Sequence, residues 1–368
     1  MLSRFVLRGA SLALLAMALT SVSASAVVTA PPGPTVRIAK IPITGKPLVG
    51  FDISWVDSAS AHYYLADRTN GSIDVVDTLT NTMVAQIGGF VGATGKNSTS
   101  GPDGVVVTFS TRELWAGDGD STVKVVDLTA NKIVASISTG GKFRADEMAY
   151  DPKDNILMVA NNADDPPFGT LISVANRTVL KKITFTDSTN GAEQPVYDPA
   201  TGMFYISVPA TNASPGGEID VVDPVAMAVT AKYGLKDCGP NGAALGPGNQ
   251  LLAGCGNPHR SVIIDKTNGV VLADFSTVGG SDEVWFNPGD NRYYLGESAF
   301  QNVGIIDAMS LTAIGEVQTG LGAHSVAADL GNNHIFVPIA SPDPACPTGC
   351  IAVYSTVNVD NFGASRAR

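Results

Sequence analysis

The chain has 368 residues, of which 23 are Lys or Arg and 34 are Asp or Glu, so its formal net charge is −11. Such an acidic surface repels phosphate backbones, which excludes nucleic acid as an expected partner. Glycine is frequent and only 15% of the residues are charged. This composition favours short strands and tight turns over long amphipathic helices.

The first residues are typical of a secretory signal peptide. Arg4 and Arg8 precede an apolar run over residues 10–19, and Ala24-Ser25-Ala26 is a small-residue cleavage site. Cleavage after Ala26 leaves residues 27–368 with 21 basic against 34 acidic side chains, a net charge of −13. No later apolar run reaches the roughly 18 residues of a membrane span. We therefore expect a soluble monomer, periplasmic or secreted, without a transmembrane segment.

After the signal (1–26) and a Pro-rich lead-in (27–34), one pattern repeats over residues 35–357, and a polar tail follows (358–368). Its best copies are 145–152, 192–199 and 281–288, which end in Asp-Pro or Asn-Pro. Seven copies start 41 to 51 residues apart, which is typical of a propeller. One aligned column is polar in every copy: Asp52, Asp103, Asp146, Glu193, Asn241, Asp282 and His324.

Each repeat predicts four antiparallel strands. The inner strand follows the column residue, a second strand comes next, and the third strand is the most regular, as at 73–77 and 123–127. β-branched residues fill these runs, and Asn, Gly, Asp and Pro separate them. The seventh repeat supplies only three strands, but residues 37–41 match the pattern of a fourth. The sequence therefore predicts an all-β, seven-bladed β-propeller whose N-terminal strand completes the last blade and closes the ring.

Four cysteines in an exported chain suggest two disulfides. Cys346 and Cys350 flank a short loop. Cys238 precedes the fifth inner strand, and Cys255 ends the strand after it. We expect the pairs Cys238–Cys255 and Cys346–Cys350, although spacing alone leaves the connectivity open.

The third and fourth strands, for example VVDLTANKIV at 125–134, resemble the YVTN-type seven-bladed propellers found outside the bacterial cytoplasm. The signature tetrapeptide is best approximated by Met158-Val159-Ala160-Asn161. The resemblance covers nearly the whole mature chain and implies the fold. Its members include binding proteins, surface proteins and relatives of enzymes, so the resemblance selects no single function.

The column residues lie where the loops of all blades open on one rim, so we expect their side chains to ring the mouth of the central channel. Five carboxylates, an amide and an imidazole in one place require neutralisation by protons or cations. Oxygen ligands favour Ca²⁺ or Mg²⁺, and His324 also permits Zn²⁺, Mn²⁺ or Fe²⁺. The sequence therefore predicts that all seven column residues are metal ligands. The alternative is that each acid bonds the backbone of its own turn.

A second polar layer follows the column by one residue, at Glu147, Gln194, Glu283 and Ser325. Loops after the second strands add His259 and Glu297 to the same rim. We predict that the catalytic acids and bases are Glu147, Glu283, His259 and His324. Trp55 and Trp285 share one position in their inner strands, where they either pack between blades or line a substrate pocket.

Two functions fit this pattern. The first is an exported enzyme, a metal-assisted hydrolase or lyase that acts on a small ester, lactone or ring ether at the channel. Metal-dependent propellers of the lactonase, paraoxonase and streptogramin-lyase kinds are similar in architecture. The alternative is a non-catalytic binding or scaffold propeller for a partner protein, peptide or glycan. Substitution of Asp146 or His324 separates the two functions, because only an enzyme has turnover to lose.

Overall fold

The computed structural model describes residues 33–256 and 259–356, which form seven four-stranded antiparallel sheets and one 3-10 turn at Asn97–Thr99. The predicted signal peptide, most of the lead-in and the C-terminal tail lie outside the described residues. Within the described part, no helix has the length and apolar character that crossing a membrane requires.

Each sheet is one blade, and its strands follow one another in the chain. Blades 1 to 3 contain β2 (Ser54–Asp57), β3 (His62–Asp67), β4 (Ser72–Asp77), β5 (Thr82–Gly88), β6 (Val105–Thr108), β7 (Glu113–Asp118), β8 (Thr122–Asp127), β9 (Lys132–Ser138), β10 (Met148–Asp151), β11 (Ile156–Asn161), β12 (Phe168–Ser173) and β13 (Thr178–Thr184). Blades 4 to 6 contain β14 (Pro195–Asp198), β15 (Met203–Val208), β16 (Glu218–Asp223), β17 (Ala228–Gly234), β18 (Pro240–Leu245), β19 (Gln250–Cys255), β20 (Ser261–Asp265), β21 (Val271–Phe275), β22 (Val284–Asn287), β23 (Arg292–Glu297), β24 (Asn302–Asp307) and β25 (Thr312–Gln318).

Blade 7 joins the two ends of the chain. It contains β26 (Ala327–Asp329), β27 (His334–Ile339), β28 (Cys350–Thr356) and β1 (Thr35–Pro42). Strand β1 pairs antiparallel with β28 from Thr35 opposite Thr356 to Pro42 opposite Cys350. The predicted all-β, seven-bladed propeller and its closure by the N-terminal strand are therefore confirmed.

A short aspartate turn connects the third and fourth strands of several blades. In blade 1, Oδ1 of Asp77 accepts the backbone N–H groups of Leu79 and Thr80 at 2.9 and 2.8 Å. Asn81 then adopts a φ of 54°, a left-handed conformation that Asn tolerates better than most residues. Asp127, Asp223 and Asp307 make the same turn. The Val-Val-Asp pattern therefore encodes a local turn that needs no distant contact.

The apolar core of the described residues is divided among the junctions between blades. Seven clusters of buried side chains occur, and each one joins two neighbouring blades around the ring. In the cluster between blades 1 and 2, for example, Tyr64 and Val75 pack against Val105 and Leu114. Each blade is thus stabilised by its neighbours, as in other repeat architectures.

Both predicted disulfides are present, Cys238–Cys255 in blade 5 and Cys346–Cys350 in blade 7. All four cysteines are buried. The Cys238–Cys255 bond joins residues that are 17 positions apart in the chain, and the Cys346–Cys350 bond joins residues that are 4 positions apart.

We expect the double variant Cys238→Ala/Cys255→Ala to lose about 3 kcal/mol of unfolding free energy, because the longer loop restricts the unfolded chain more strongly. Cys346→Ala/Cys350→Ala is the matched control and should lose less. Urea denaturation of both variants measures the difference. Equal losses would show that loop length does not set the contribution of these bonds.

Candidate functional site

The column residues occupy the same backbone position in successive blades. The N–H of Asp52 donates to the carbonyl of Ala66 at 2.9 Å, and that of Asp103 donates to the carbonyl of Gly117 at 3.0 Å. The same bond to the second strand is made by Asp146, Glu193 and Asp282. Because this bond orients the side chains alike, the carboxylates of Asp52, Asp103 and Asp146 each place an oxygen within 4.8 Å of the others. The predicted convergence of these acids is therefore observed.

The column residues, from Asp52 to His324, are called the ring below. Arg68 lies between its first two acids, Asp52 and Asp103. Its Nη2 is 2.6 Å from Oδ2 of Asp52, and its Nε donates to Oδ1 of Asp103 at 2.9 Å. Burial would raise the pKa of Asp52, but Arg68, His324 and Arg144 together outweigh burial and hold that pKa well below its usual range. Burial raises the pKa of Asp103 well above its usual range, with Arg68 opposing it. Asp52 is therefore the charged partner of Arg68.

Arg144 makes the equivalent pair with the third acid. Its Nε donates to Oδ2 of Asp146 at 2.8 Å, and its Nη2 lies 2.7 Å from the same oxygen. Asn97 links the two arginines, because its Oδ1 accepts from Arg68 at 2.6 Å and its carbonyl accepts from Arg144 at 3.4 Å. Burial raises the pKa of Asp146 to about 6, although Arg144 acts in the opposite direction.

His324 also lies beside Asp52. Its ring stacks on Phe51 with centroids 4.8 Å apart, and its Nδ1 donates to the carbonyl of Gly322 at 2.7 Å. Its Nε2 is 3.5 Å from Oδ1 of Asp52. Burial lowers the pKa of His324, but Asp52 and Asp282 outweigh burial and raise it above the usual value. Folding therefore shifts the equilibrium of the imidazole toward its protonated form.

The remaining column residues are Glu193, Asp282 and Asn241, and they differ in their contacts. Oε2 of Glu193 accepts from Asn162 at 3.0 Å, and burial with Asp146 nearby raises the pKa of Glu193 to about 8. Burial also raises the pKa of Asp282. Asn241 differs, because a bulge after Pro240 places it inside β18 rather than before the strand. Its amide lies against Gly256 of its own blade.

The predicted metal would have to share this ring with the two arginines. The donor types are suitable, since carboxylate oxygens are ligands for hard cations. Arg68 and Arg144 already donate to these oxygens, so a cation would have to displace a guanidinium. Among the described residues, Oδ2 of Asp103 is a buried oxygen without a hydrogen-bond partner, but one such oxygen does not make a cation site. The ring in this arrangement fits a metal poorly, and metal binding by the column residues stays a prediction.

The second polar layer lies beneath the ring, and two of its carboxyl groups are almost fully buried. Oε2 of Glu283 accepts from the hydroxyl of Ser325 and from the backbone N–H of Val326 at 3.1 Å. Burial raises the pKa of Glu283 to about 8. Burial, together with neighbouring acids, raises the pKa of Glu147 well above its usual range. Oε2 of Glu147 has no hydrogen-bond partner in the described part of the chain.

A cavity of about 340 Å³ continues from this layer along the axis of the propeller. Inner-strand residues of blades 1 to 6 line it, and almost all of them are apolar, as at 105–107 and 243–245. Trp55 and Trp285 both line it and meet edge to face, with ring centroids 5.1 Å apart. Both tryptophans also pack against the apolar clusters between blades, so the structure supports both interpretations of these residues.

The cavity opens on the face opposite the ring. Phe109, which follows the second inner strand, lines the cavity and is 59% exposed, and Pro199 at the corresponding place in blade 4 is exposed as well. At the other end, Asp103 and Asp146 are 0% and 2% exposed. Glu193, Asp282 and His324 of the ring are partly exposed, however, and Arg144 and Glu193 line a separate open pocket on that face. The arginine pairs therefore bury only part of the ring, and its predicted place at a mouth of the channel stays a prediction.

His259 does not join the ring. It lies between blades 5 and 6, where its Nε2 is 3.6 Å from Oε2 of Glu297 and 2.7 Å from Oε1 of Glu316. The four predicted catalytic residues therefore lie in three places: Glu147 and Glu283 line the channel, His324 is in the ring, and His259 is at a blade junction.

Sequence reasoning missed Arg68 and Arg144. A usable signal was present, because both arginines lie in loops that flank the acidic column in a chain with few basic residues. Arg144 precedes Asp146 by two positions, and Arg68 directly follows a second strand. The acids were treated as needing an external cation, although internal guanidinium groups satisfy the same requirement.

Comparison with known proteins identifies the fold and nothing finer. The sequence matches no protein-family model and no curated protein. Among solved structures, a hydrazine synthase from Kuenenia stuttgartiensis is similar with a TM-score of 0.69 and 15% sequence identity, over 86% of this chain and 97% of that one. Because 1707 solved chains match, the shared architecture selects no activity.

Proposed function

We propose that the protein is an exported enzyme that binds a small, largely apolar molecule in the central channel and donates a proton to it from Glu147. The observation that carries this proposal is Oε2 of Glu147, which has no partner among the described residues although the residue is only 4% exposed. A buried polar atom of this kind normally has a hydrogen-bond partner. An oxygen of a ligand in the channel would supply one.

The environment of Glu147 favours the role of a general acid. Burial and the neighbouring acids raise the pKa of Glu147 well above its usual range, which favours the protonated carboxyl group that a general acid needs. When Glu147 protonates the leaving oxygen, a solvent water can add to the carbonyl carbon of the ester or lactone as its C–O bond breaks, and the proton that the water loses returns to Glu147. Glu283 lines the same end of the channel and is fixed by Ser325 and Val326, so it can orient the ligand. These features support a hydrolase or lyase of lactone-like substrates that does not depend on a ring metal.

The second candidate function is binding without turnover. It is favoured by the composition of the channel, whose lining residues in the described part of the chain include no Ser, Thr, Cys, Lys or His. The channel would then hold an apolar ligand or an apolar side chain of a partner. Both candidates place the ligand in the same cavity, so occupancy and turnover must be measured separately.

We expect 1-naphthol to bind in the channel and to quench the fluorescence of Trp55 and Trp285 with a saturable dependence on concentration. Ala149→Phe should weaken this binding about tenfold or more, because the larger side chain fills the cavity. Val134→Phe, on the exposed outer strand β9, is the matched control and should bind normally.

Turnover is tested with dihydrocoumarin, an aromatic lactone. Glu147→Gln should bind 1-naphthol but hydrolyse the lactone about 100-fold more slowly, because an amide cannot transfer a proton. Binding with no hydrolysis by the wild-type protein would select the second candidate. Failure of wild-type protein to bind either compound would contradict both.

A further inference from the structure

A second group of ligand-type side chains lies at the junction of blades 5 and 6. Nε2 of His259, Oε2 of Glu297 and Oε1 of Glu316 all lie within 4.8 Å of one another. His259 follows β19 of blade 5, Glu297 ends β23 of blade 6, and Glu316 belongs to β25 of the same blade. The group therefore bridges two blades at a place that is separate from the channel.

Glu297 is the buried member of this group. It is 0% exposed, and its Oε1 accepts the backbone N–H of Gly279 at 2.7 Å. Its Oε2 has no hydrogen-bond partner among the described residues and is directed at His259. Gly304 makes this position possible, because a Cβ there would lie 2.4 Å from Oε1 of Glu297. The blade thus leaves space for a buried carboxylate with one unsatisfied oxygen.

Other blades place a lysine at this location. In blade 2, Asp118 occupies the position of Glu297 and pairs with Lys124, which occupies the position of Gly304. In blade 4, Nζ of Lys232 lies 2.7 Å from Glu218 and 3.4 Å from Asp220. Lys232 occupies the fourth-strand position that Glu316 holds in blade 6. Blade 6 therefore has a glycine and a glutamate in the two positions from which other blades supply an ammonium group.

The surroundings hold the three donor atoms in place. Asn302 donates to Oε2 of Glu316 at 2.9 Å, which leaves Oε1 directed at His259. The imidazole of His259 stacks on Phe300 with centroids 4.0 Å apart. Such outer contacts fix the orientation of metal ligands in known sites.

We propose that His259, Glu297 and Glu316 bind one Zn²⁺ ion, which takes the place of the missing ammonium group and joins blade 5 to blade 6. One imidazole nitrogen and two carboxylate oxygens are ligands that Zn²⁺ accepts, and the two carboxylates balance its charge. Ligands at about 2.0–2.2 Å from a tetrahedral ion are about 3.3–3.6 Å apart, close to the 3.6 Å between His259 and Glu297. Glu316 is 28% exposed and has room to move outward by the remaining distance. Water completes the coordination from the solvent side.

The test uses the untagged mature chain, stripped with EDTA and titrated with Zn²⁺ alone at pH 7.5. We expect one tight site per chain, with a higher melting temperature in the zinc-bound form. Glu297→Gln and His259→Ala should each weaken binding about 100-fold. Glu218→Gln is the matched control in blade 4, where a lysine neutralises the acids, and should bind normally. Co²⁺ in place of Zn²⁺ should give the visible absorption of a tetrahedral site, and His259→Ala should abolish it.

Three outcomes would overturn the proposal. The first is a folded wild-type chain that binds no Zn²⁺. The second is zinc binding that survives both His259→Ala and Glu297→Gln. The third is zinc binding that is lost in Asp103→Asn but kept in His259→Ala, which would place the metal in the ring. Because His259 is partly exposed, its variant should fold even if Glu297→Gln does not. Neither 1-naphthol binding nor lactone hydrolysis enters this test, so it is independent of the proposed function.

Discussion

Replacement of Arg68 by methionine is expected to lower the free energy of unfolding by about 3–5 kcal/mol, since it leaves a buried carboxylate without its counter-ion. Arg68 is 8% exposed and bridges Asp52 and Asp103, which are 6% and 0% exposed. Methionine keeps most of the apolar stem, so the loss reports on the charge and its hydrogen bonds. Chemical denaturation followed by circular dichroism measures the change.

Arg177→Met is the control for Arg68→Met. Arg177 also pairs with a carboxylate, that of Glu113, but the side chain of Arg177 is 38% exposed. Exposed ion pairs of this kind contribute about 0–1 kcal/mol to the free energy of unfolding. The double variant Arg68→Met/Asp52→Asn should recover part of the loss, because Asp52 is the charged partner and its charge is removed as well. Equal losses in Arg68→Met and Arg177→Met would show that Arg68 is not the counter-ion of the ring.

Local sequence patterns predicted the strands well because propeller strands are specified by neighbours in the chain. The Val-Val-Asp turns are local, and the alternation of buried and exposed residues in outer strands such as β9 follows directly from the strand period. The closure by β1 was also predictable, because a blade with three strands leaves an unpaired edge. The strands, the turns and the closure depend on contacts within one blade or between neighbouring blades, and on few contacts over longer distances.

The sequence predicts the acids of the ring but not its arginines, and the reason is physical. The acids are fixed by the start of each inner strand, so their convergence follows from the repeat. The arginines reach the ring from loops, and a long side chain can pair with an acid far away in sequence, as Arg68 does with Asp103. Their effect is large, because they supply positive charge to the carboxylates for which the sequence predicted a metal ion.

The sequence also does not show how far from the propeller axis a residue lies within its blade. His259 and Glu297 were assigned to the central rim because both lie near the ends of second strands. The structure places them at the junction of two blades, where Glu316 from a fourth strand completes the group. Register between the third and fourth strands, which brings Gly304 opposite Glu316, decides this arrangement and is visible only in the folded sheet.

Glu283 is expected to contribute a loss of about 3 kcal/mol of stability between pH 5 and pH 9, in addition to losses in the same direction from Glu147 and Glu193. Burial raises the pKa of Glu283 to about 8, above its value near 4.5 in an unfolded chain. Between these two pH values the folded state holds more protons than the unfolded state. The stabilisation is therefore complete below pH 4.5 and is lost as the pH rises through 8. Urea midpoints measured across this range provide the test.

Glu283→Gln should make this profile less steep by that amount, because the amide stays neutral at every pH while its carbonyl oxygen still accepts from Ser325 and Val326. Asp274→Asn is the control with the opposite sign. Arg260 donates to Asp274 at 2.8 Å and, through that hydrogen bond, lowers the pKa of this carboxyl, which therefore titrates below pH 5. The slope between pH 5 and pH 9 should be unchanged in Asp274→Asn. A slope that is the same in wild type and Glu283→Gln would mean that Glu283 is ionised in the folded chain, and the end of the channel that it lines would then carry its negative charge at neutral pH.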